Sequence, residues 1–249
     1  MALIYKIPGY ILCLMGGFFL SWGGYLIRRF EEADVWQILF WRALFFSLNF
    51  ILFLYLNYKK NTLSVIKKSG FSGLFAGIIM STSFVAYIVA MTETSVANVV
   101  FIISTQTIFL AIFGYLFLKE KISLKTLISI VLAIAGIAIM VGNPLLVGSM
   151  FGDLIALLIP INFAALIIII RKYPNVDLVP ALLYSGLIAC LYGYFASKTI
   201  VISLHDLYIA FLLGTFQHSF GFIAVTIGAR TTPAVMVGIL MLTETLFAP

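Results

Sequence analysis

The sequence predicts an all-α integral membrane protein, with about ten transmembrane helices in two inverted repeats of five and the 249-residue chain stopping in the ninth. Three observations lead there. Hydrophobic residues make up 63% of the chain, charged residues only 10%, and the mean hydropathy is +1.17. That is more apolar surface than a soluble core covers, so lipid is the solvent. The apolar residues fall in runs of bilayer-crossing length separated by short polar connections. Weak internal matches recur at two nearly equal offsets, 138 and 143 positions, as a duplicated unit would give.

The spans are expected, in order, at Pro8–Ile27, Val35–Tyr55, Gly70–Met91, Val96–Leu118, Leu124–Val141, Asp153–Ile170, Leu178–Ala196, Leu207–Ala229 and from Pro233 onward. The first follows Lys6 and shows no small-x-small cleavage site, which favours a retained anchor over a removed signal peptide. The fourth is the best marked. A polar edge, Thr92 to Ser95, opens it, Lys119-Glu120-Lys121 closes it, and no charge lies between. At about 1.5 Å per residue its length crosses roughly 30 Å of hydrocarbon. Apart from Asn57–Ser69 the connections are only a few residues long, so one compact bundle is expected without a soluble domain. Periodicity adds little, because helices in lipid and protein are apolar all round.

At an offset of 138, Thr105-Gln106-Thr107-Ile108-Phe109 meets Thr243-Glu244-Thr245-Leu246-Phe247, with Thr94 on Thr232 and Val96 on Ala234. At 143, Gly9 falls on Gly152, Ile27-Arg28-Arg29 on Ile170-Arg171-Lys172, and Trp41 on Tyr184. These define repeats over residues 1–143 (helices 1–5) and 144–249 (helices 6–9, incomplete). An odd number of spans per repeat turns the second copy over in the membrane, the architecture of inverted-repeat transporters. Copies of Lys119-Glu120-Lys121 and of the fifth span would then fall beyond Pro249, so a fragment lacking about 30 to 40 residues is expected. The competing explanation is that apolar helices match through composition alone.

The net charge of +6 sits in the short connections and reports orientation, not a nucleic-acid partner. With the N-terminus cytoplasmic, the inner side carries Lys6, Lys59, Lys60, Lys67, Lys68, Lys119, Lys121, Lys125, Arg171, Lys172 and Arg230, against Arg28, Arg29 and Lys198 outside, eleven to three. A multi-pass protein of a cell (plasma or inner) membrane follows. Cys13 and Cys190 lie in apolar runs without metal or disulfide spacing and read as small packing residues. There is no HExxH, GxSxG, paired acidic motif or nucleotide loop, and Asp34, Asp153, Asp177 and Asp206 all sit at span edges. No enzyme, no cofactor and no direct use of ATP are expected.

Ionisable residues inside a span are the best functional pointers, since each costs about 2.5 to 3.5 kcal/mol on insertion scales. Glu244, eleven residues past Pro233, lies about 16 Å along its helix, near the midplane. A carboxylate there suits proton coupling or a cationic substrate group; a protonated packing residue is the alternative. Arg42 enters about 10 Å from the outer edge and either clamps a substrate carboxylate or snorkels outward. Together the two would suit a zwitterion. Asn98 and Thr105 share a stripe of the fourth span with Gln106 on its flank, Gln217, His218 and Ser219 are central in the eighth, Asn162 in the sixth, and Ser81, Thr82, Ser83 and Tyr87 lie in the third. Each serves as interhelical glue or as a ligand contact. Trp41 and Trp22, with Tyr25, are placed at an outer cavity mouth or as interfacial anchors, and Gly16-Gly17 and Gly23-Gly24 allow close helix approach.

Arg42 of the Phe-Trp-Arg-Ala run, the Tyr87…Met91-Thr92-Glu93-Thr94-Ser95-Val96-Ala97-Asn98 junction, Phe117-Leu118-Lys119-Glu120-Lys121-Ile122-Ser123 and Gly136 together resemble the EamA-type branch of the drug/metabolite transporter superfamily. The resemblance covers essentially the whole chain. It implies ten helices in two inverted repeats, a central cavity, alternating access and, in many relatives, export of amino acids or other small metabolites. The family commonly places Pro in the middle of the fourth and ninth helices, where Thr107 and Thr245 stand here, so a proline kink is not expected at either. The resulting expectation is a secondary carrier of small metabolites, an exporter by analogy, with the bilayer, a small-molecule substrate and protons as partners. The rival is a non-transporting scaffold or degraded transporter.

Overall fold

The computed structural model describes residues 3–121 and 149–248, together with Leu124, Leu127, Ile128, Ile130, Val131, Leu132 and Ala135. Every element among them is helical. In lipid a helix satisfies its own backbone, and these runs show no strand alternation. The helices are α1 (Gly9–Ser21), α2 (Gly23–Ile27), α3 (Val35–Tyr58), α4 (Thr62–Glu93), α5 (Val96–Ser104), α6 (Gln106–Leu118), α7 (Met150–Ala156), α8 (Leu158–Lys172), α9 (Val179–Ala196), α10 (Leu204–Leu212), α11 (Phe220–Gly228), α12 (Ala234–Met241) and α13 (Thr243–Leu246). A π-helical segment, Leu213–Ser219, joins α10 to α11. Single residues, Trp22, Thr105, Leu157 and Leu242, separate α1 from α2, α5 from α6, α7 from α8 and α12 from α13; each of the first three pairs makes one span, and α12 with α13 makes a shorter apolar run, Ala234–Leu246.

Among the described residues, 6 helices are long and apolar enough to cross a membrane. One is the continuous run Val35–Glu93 of 59 residues, which reverses at Lys59, where φ is 47°, into α3 and α4. Within α4, Gly70 takes φ 53° and ψ −147°, a left-handed conformation that glycine adopts at little cost, and the span expected from Gly70 begins at that kink. The chain is therefore a multi-pass, all-α membrane protein. The expected fifth span is described only at its seven positions; Gly136, the boundary at 143 and Pro249 lie outside the described residues.

The ends of the described spans sort into two faces, with α5–α6 and α7–α8 running in the same direction. On the face opposite the N-terminus, helix starts carry their own caps. Asp34 accepts from the backbone N–H of Trp36 and Gln37 at 2.8 and 2.9 Å, and Gln37 Oε1 accepts from Asp34 N–H at 2.8 Å. Ser95, Ser149 and Ser203 cap α5, α7 and α10 through Asn98, Gly152 and Asp206 N–H at 3.0 to 3.1 Å. Each occupies a donor that the helix itself leaves unpaired.

The core is close-packed. α9 lies against α3 and α4, α8 against α4 and α6, and α1 against α11. The expectation of close approach at the first span's glycines holds. A Cβ on Gly16 would collide with Val225, on Gly17 with Thr243, and on Gly23 with the Tyr87 hydroxyl. Phe46, Phe50, Leu54, Ile88 and Leu110 are fully buried, whereas Tyr55, Phe71 and Phe195 stand exposed on the outside, as lipid-facing side chains do.

Candidate functional site

A cavity with several polar groups on an otherwise apolar wall lies where most of the spans meet. Its walls come from Leu20 of α1, Met80, Ser83, Phe84 and Tyr87 of α4, Ile103 of α5, Gln106 of α6, Ile159 and Phe163 of α8, Gln217 and His218 of the π segment, Phe222 of α11 and Glu244 of α13. It leaves about 40 Å³ for the centres of water molecules, room for a small number of waters. Ordinary small-molecule pockets are larger, on the order of 300 Å³.

Two helix breaks aim polar groups at this space. Thr105 Oγ1 donates to the Ile102 carbonyl at 2.6 Å, and Thr243 Oγ1 to the Leu240 carbonyl at 2.8 Å. Such back-bonding competes with the helix ladder and bends it. α6 restarts at Gln106 and α13 at Thr243, just before Glu244, and Gln106 and Glu244 both reach the cavity. Neither break carries a proline; each lies beside a threonine that bonds back to its own helix. The π segment supplies the third polar wall. Ser219 Oγ donates to the Gly214 carbonyl at 2.7 Å, and the wider turn presents the adjacent Gln217 and His218 together.

Several of these groups lack partners. His218 is ringed by Phe46, Phe84 and Phe222 with centroids 4.6, 4.3 and 4.8 Å away, and its Nε2 has no hydrogen bond. Gln217 Nε2 donates to the Leu20 carbonyl at 3.1 Å but its Oε1 is unpaired. Glu244 is half-buried and has no ion pair among the described residues. Arg42 is 1% exposed, with its guanidinium carbon 5.6 Å from the Phe84 ring centroid and 5.1 Å from that of Tyr87. Neither Nη1 nor Nη2 has a partner. Arg42 is not itself on the wall; it lies against two aromatic rings that are, and the Tyr87 phenol lies in the field of both Arg42 and Glu244.

Of the residues singled out from the sequence, Ser83, Tyr87, Gln106, Gln217, His218 and Glu244 line the cavity. The others stand elsewhere. Trp41 Nε1 donates to the Ile200 carbonyl at 2.7 Å, which holds the indole against the connection before α10. Asn98 Nδ2 reaches Asp153 at 3.2 and 3.3 Å, Thr105 spends its hydroxyl on its own helix, and Asn162 Nδ2 donates to Thr82 Oγ1 at 2.9 Å. Phe84, Phe163 and Phe222, three of 23 phenylalanines, were not marked by any pattern in the sequence.

At the two membrane faces, by contrast, several carboxylates are paired. On the N-terminal face Glu120 Oε1 accepts from Arg171 at 2.8 and 2.7 Å and its Oε2 from Ala234 N–H, the start of α12, at 3.0 Å. Arg171 also donates to the Thr232 carbonyl. Asp177 accepts from the hydroxyls of Tyr58 and Tyr5, from Val179 N–H at 3.0 Å, and lies 3.6 Å from Arg230. Burial and then the Asp177 carboxylate push the Tyr5 phenol above its ordinary value. On the opposite face Thr94 Oγ1 donates to Asp153 at 2.8 Å, and the fully buried Asp206 accepts from Glu31, Glu32 and Ala33 N–H at 3.0, 3.1 and 2.9 Å.

A family model described as the EamA-like transporter family matches residues 7–142. A solved structure, described only as "Crystal structure of protein", shares the fold with a TM-score of 0.78 and 13% identity, over 96% of this chain and 86% of the other. No curated protein matches the chain by sequence.

Proposed function

Because the chain belongs to the EamA-like transporter family, and so to the membrane transporters of the drug/metabolite transporter superfamily, we propose that it is a secondary carrier that exports small metabolites, amino acids or related compounds, by alternating access. The observation that carries this is the central cavity. It holds a carboxylate without an ion-pair partner among the described residues, and a guanidinium whose Nη1 and Nη2 have no hydrogen-bond partner among them lies behind two of its aromatic walls. Buried charges inside a membrane protein are costly unless they serve a pathway or a ligand. An amine approaching Glu244 and a carboxylate drawn toward Arg42 through the Phe84–Tyr87 wall would satisfy both, and Glu244 is the group proposed to exchange protons. The small volume of the cavity is consistent with a state between inward and outward opening.

Two inverted copies, residues 1–143 and 144–249, are part of the proposal. Matched contacts support it. A Cβ on Gly9 would meet Thr231 and Thr232, while one on Gly152 would meet Glu93 and Thr94, which are the same positions at the offsets of 143 and 138. Thr105 and Thr243, also 138 apart, make the same back-bond. The excess of Lys and Arg on the N-terminal face supports a cytoplasmic N-terminus.

The test reconstitutes the purified chain in liposomes and offers a pooled metabolite extract with and without a pH gradient, with mass spectrometry reading what accumulates. Accumulation of a few compounds that follows the gradient and is lost in Glu244→Gln is expected. No accumulation under either condition, from protein shown to be folded, would sink the carrier reading in favour of a non-transporting scaffold.

A further inference from the structure

A second concavity lies away from the polar cavity, on the outside of the bundle. It is a groove of about 760 Å³ with Ala165, Ile168 and Ile169 of α8 along it, Phe71, Phe75 and Ile79 of α4 on one side and Phe113 and Phe117 of α6 on the other. Phe71 and Phe75 stack with centroids 6.0 Å apart, and Phe71 and Phe117 expose most of their rings. Ile130 packs instead with Ala111 and Val235, on another side of α6, and no described position of 124–135 lines the groove.

Its end is polar in one place. Lys172 and Tyr173 close it at the N-terminal face. Arg171 is tied to Glu120, but its neighbour Lys172 is exposed and has no ion pair or hydrogen bond among the described residues. Exposed Lys119 and Lys121 follow Phe117 in sequence, and exposed Lys67 and Lys68 precede Phe71; Lys172 is the charged side chain on the groove itself, and no carboxylate is among its lining residues. From Lys172 back to Ala165 the groove runs about 10 Å into the membrane at the helical rise. One leaflet of hydrocarbon is roughly 15 Å deep, half the bilayer core, so the groove spans most of a leaflet and starts at headgroup level.

We propose that this groove is a binding site for one anionic glycerophospholipid, with its phosphate on Lys172 and an acyl chain laid between the two phenylalanine walls. The phenylalanines supply chain-shaped apolar contact, and Lys172 supplies the sign that separates an anionic from a zwitterionic lipid. The site is independent of the transport reading, since none of its residues reaches the central cavity.

Native mass spectrometry of the purified chain, titrated with phosphatidylglycerol or phosphatidylcholine of the same acyl chains, tests the proposal. Phosphatidylglycerol is expected to bind about fivefold more tightly, the preference expected from one lysine at the headgroup. Lys172→Gln should abolish the preference, Ala165→Trp should weaken both lipids by filling the groove, and Lys198→Gln, on the other face, should change nothing. Glycerol phosphate alone should not compete. Equal binding of the two lipids, a preference that survives Lys172→Gln in folded protein, or full competition by glycerol phosphate would each overturn it. Absence of any bound lipid would mean that protein covers the groove, and would overturn it equally.

Discussion

Asp206 and Arg42 are both buried charges, and they are treated in opposite ways. Asp206 sits in the first turn of α10 and takes three backbone N–H groups; Arg42 sits eight residues beyond the cap of α3, about 12 Å deeper, and takes none. The same contrast separates the faces from the middle. Glu120, Asp153 and Asp177 are held by tyrosines, threonines, arginines or helix starts, whereas Glu244 and His218 are left without such ties. A paired charge at a face costs little and fixes which segments meet. An unpaired charge in the middle destabilises the bundle, and persists where something that comes and goes provides the missing partner.

The sharpest way to break this contrast is Arg42→Leu. Removing one member of a desolvated charge pair typically costs 2 to 5 kcal/mol in binding, on the order of a hundredfold or more. Transport of the substrate identified in liposomes should fall by that factor. The thermal midpoint should stay or rise, because the leucine removes an uncompensated charge. A matching loss of stability would mean that Arg42 is structural and would remove it from the cavity's chemistry.

Asp206→Ala should do the reverse. It strips the connection before α3 of its acceptor, and with charged hydrogen bonds contributing about 1.5 to 3 kcal/mol each, a loss of about 3 kcal/mol or more is expected. For a chain of this size that is a fall of about 10 °C in the midpoint, with transport per folded molecule unchanged. Glu120→Gln is milder. The amide still accepts from Ala234 N–H but loses the charge facing Arg171, and a cost of about 2 kcal/mol follows for a partly exposed pair.

The spans were legible because lipid leaves so little choice: Val96–Leu118, read from its polar edges, is the helical run in the structure to the residue. What lies around each helix was not legible. In a helix that is apolar on all sides, no moment says which side faces a cavity, so Asn98 and Thr105 read as one stripe although the break after Thr105 turns Gln106 toward the cavity and leaves Asn98 to Asp153. The helix breaks at Thr105 and Leu242 fall where no proline marks them. The π segment has no propensity signature, and Phe84, Phe163 and Phe222 are lost among residues that lipid exposure alone would explain. Glu244 was legible for the opposite reason, as a charge where apolar residues were expected.

The smallest expected effect tests the faces against each other. On the face opposite the N-terminus each start is capped from within its own segment, by Asp34, Ser95, Ser149 or Ser203, whereas on the N-terminal face α12 starts on Glu120, a residue 114 positions away. A local cap and a distant one satisfy the same N–H groups but differ in what else they hold. Ser203→Ala should therefore cost about 1 kcal/mol, read as a shift of the thermal midpoint of about 3 °C, without altering transport, since only the first turn of α10 relies on it. Glu120→Gln loosens α6, α8 and α12 together, so any change in transport from the face networks should appear there first. Transport that falls in Ser203→Ala, with folding intact, would show that the opposite face also moves in the cycle, and the division between structural faces and a functional middle would no longer hold.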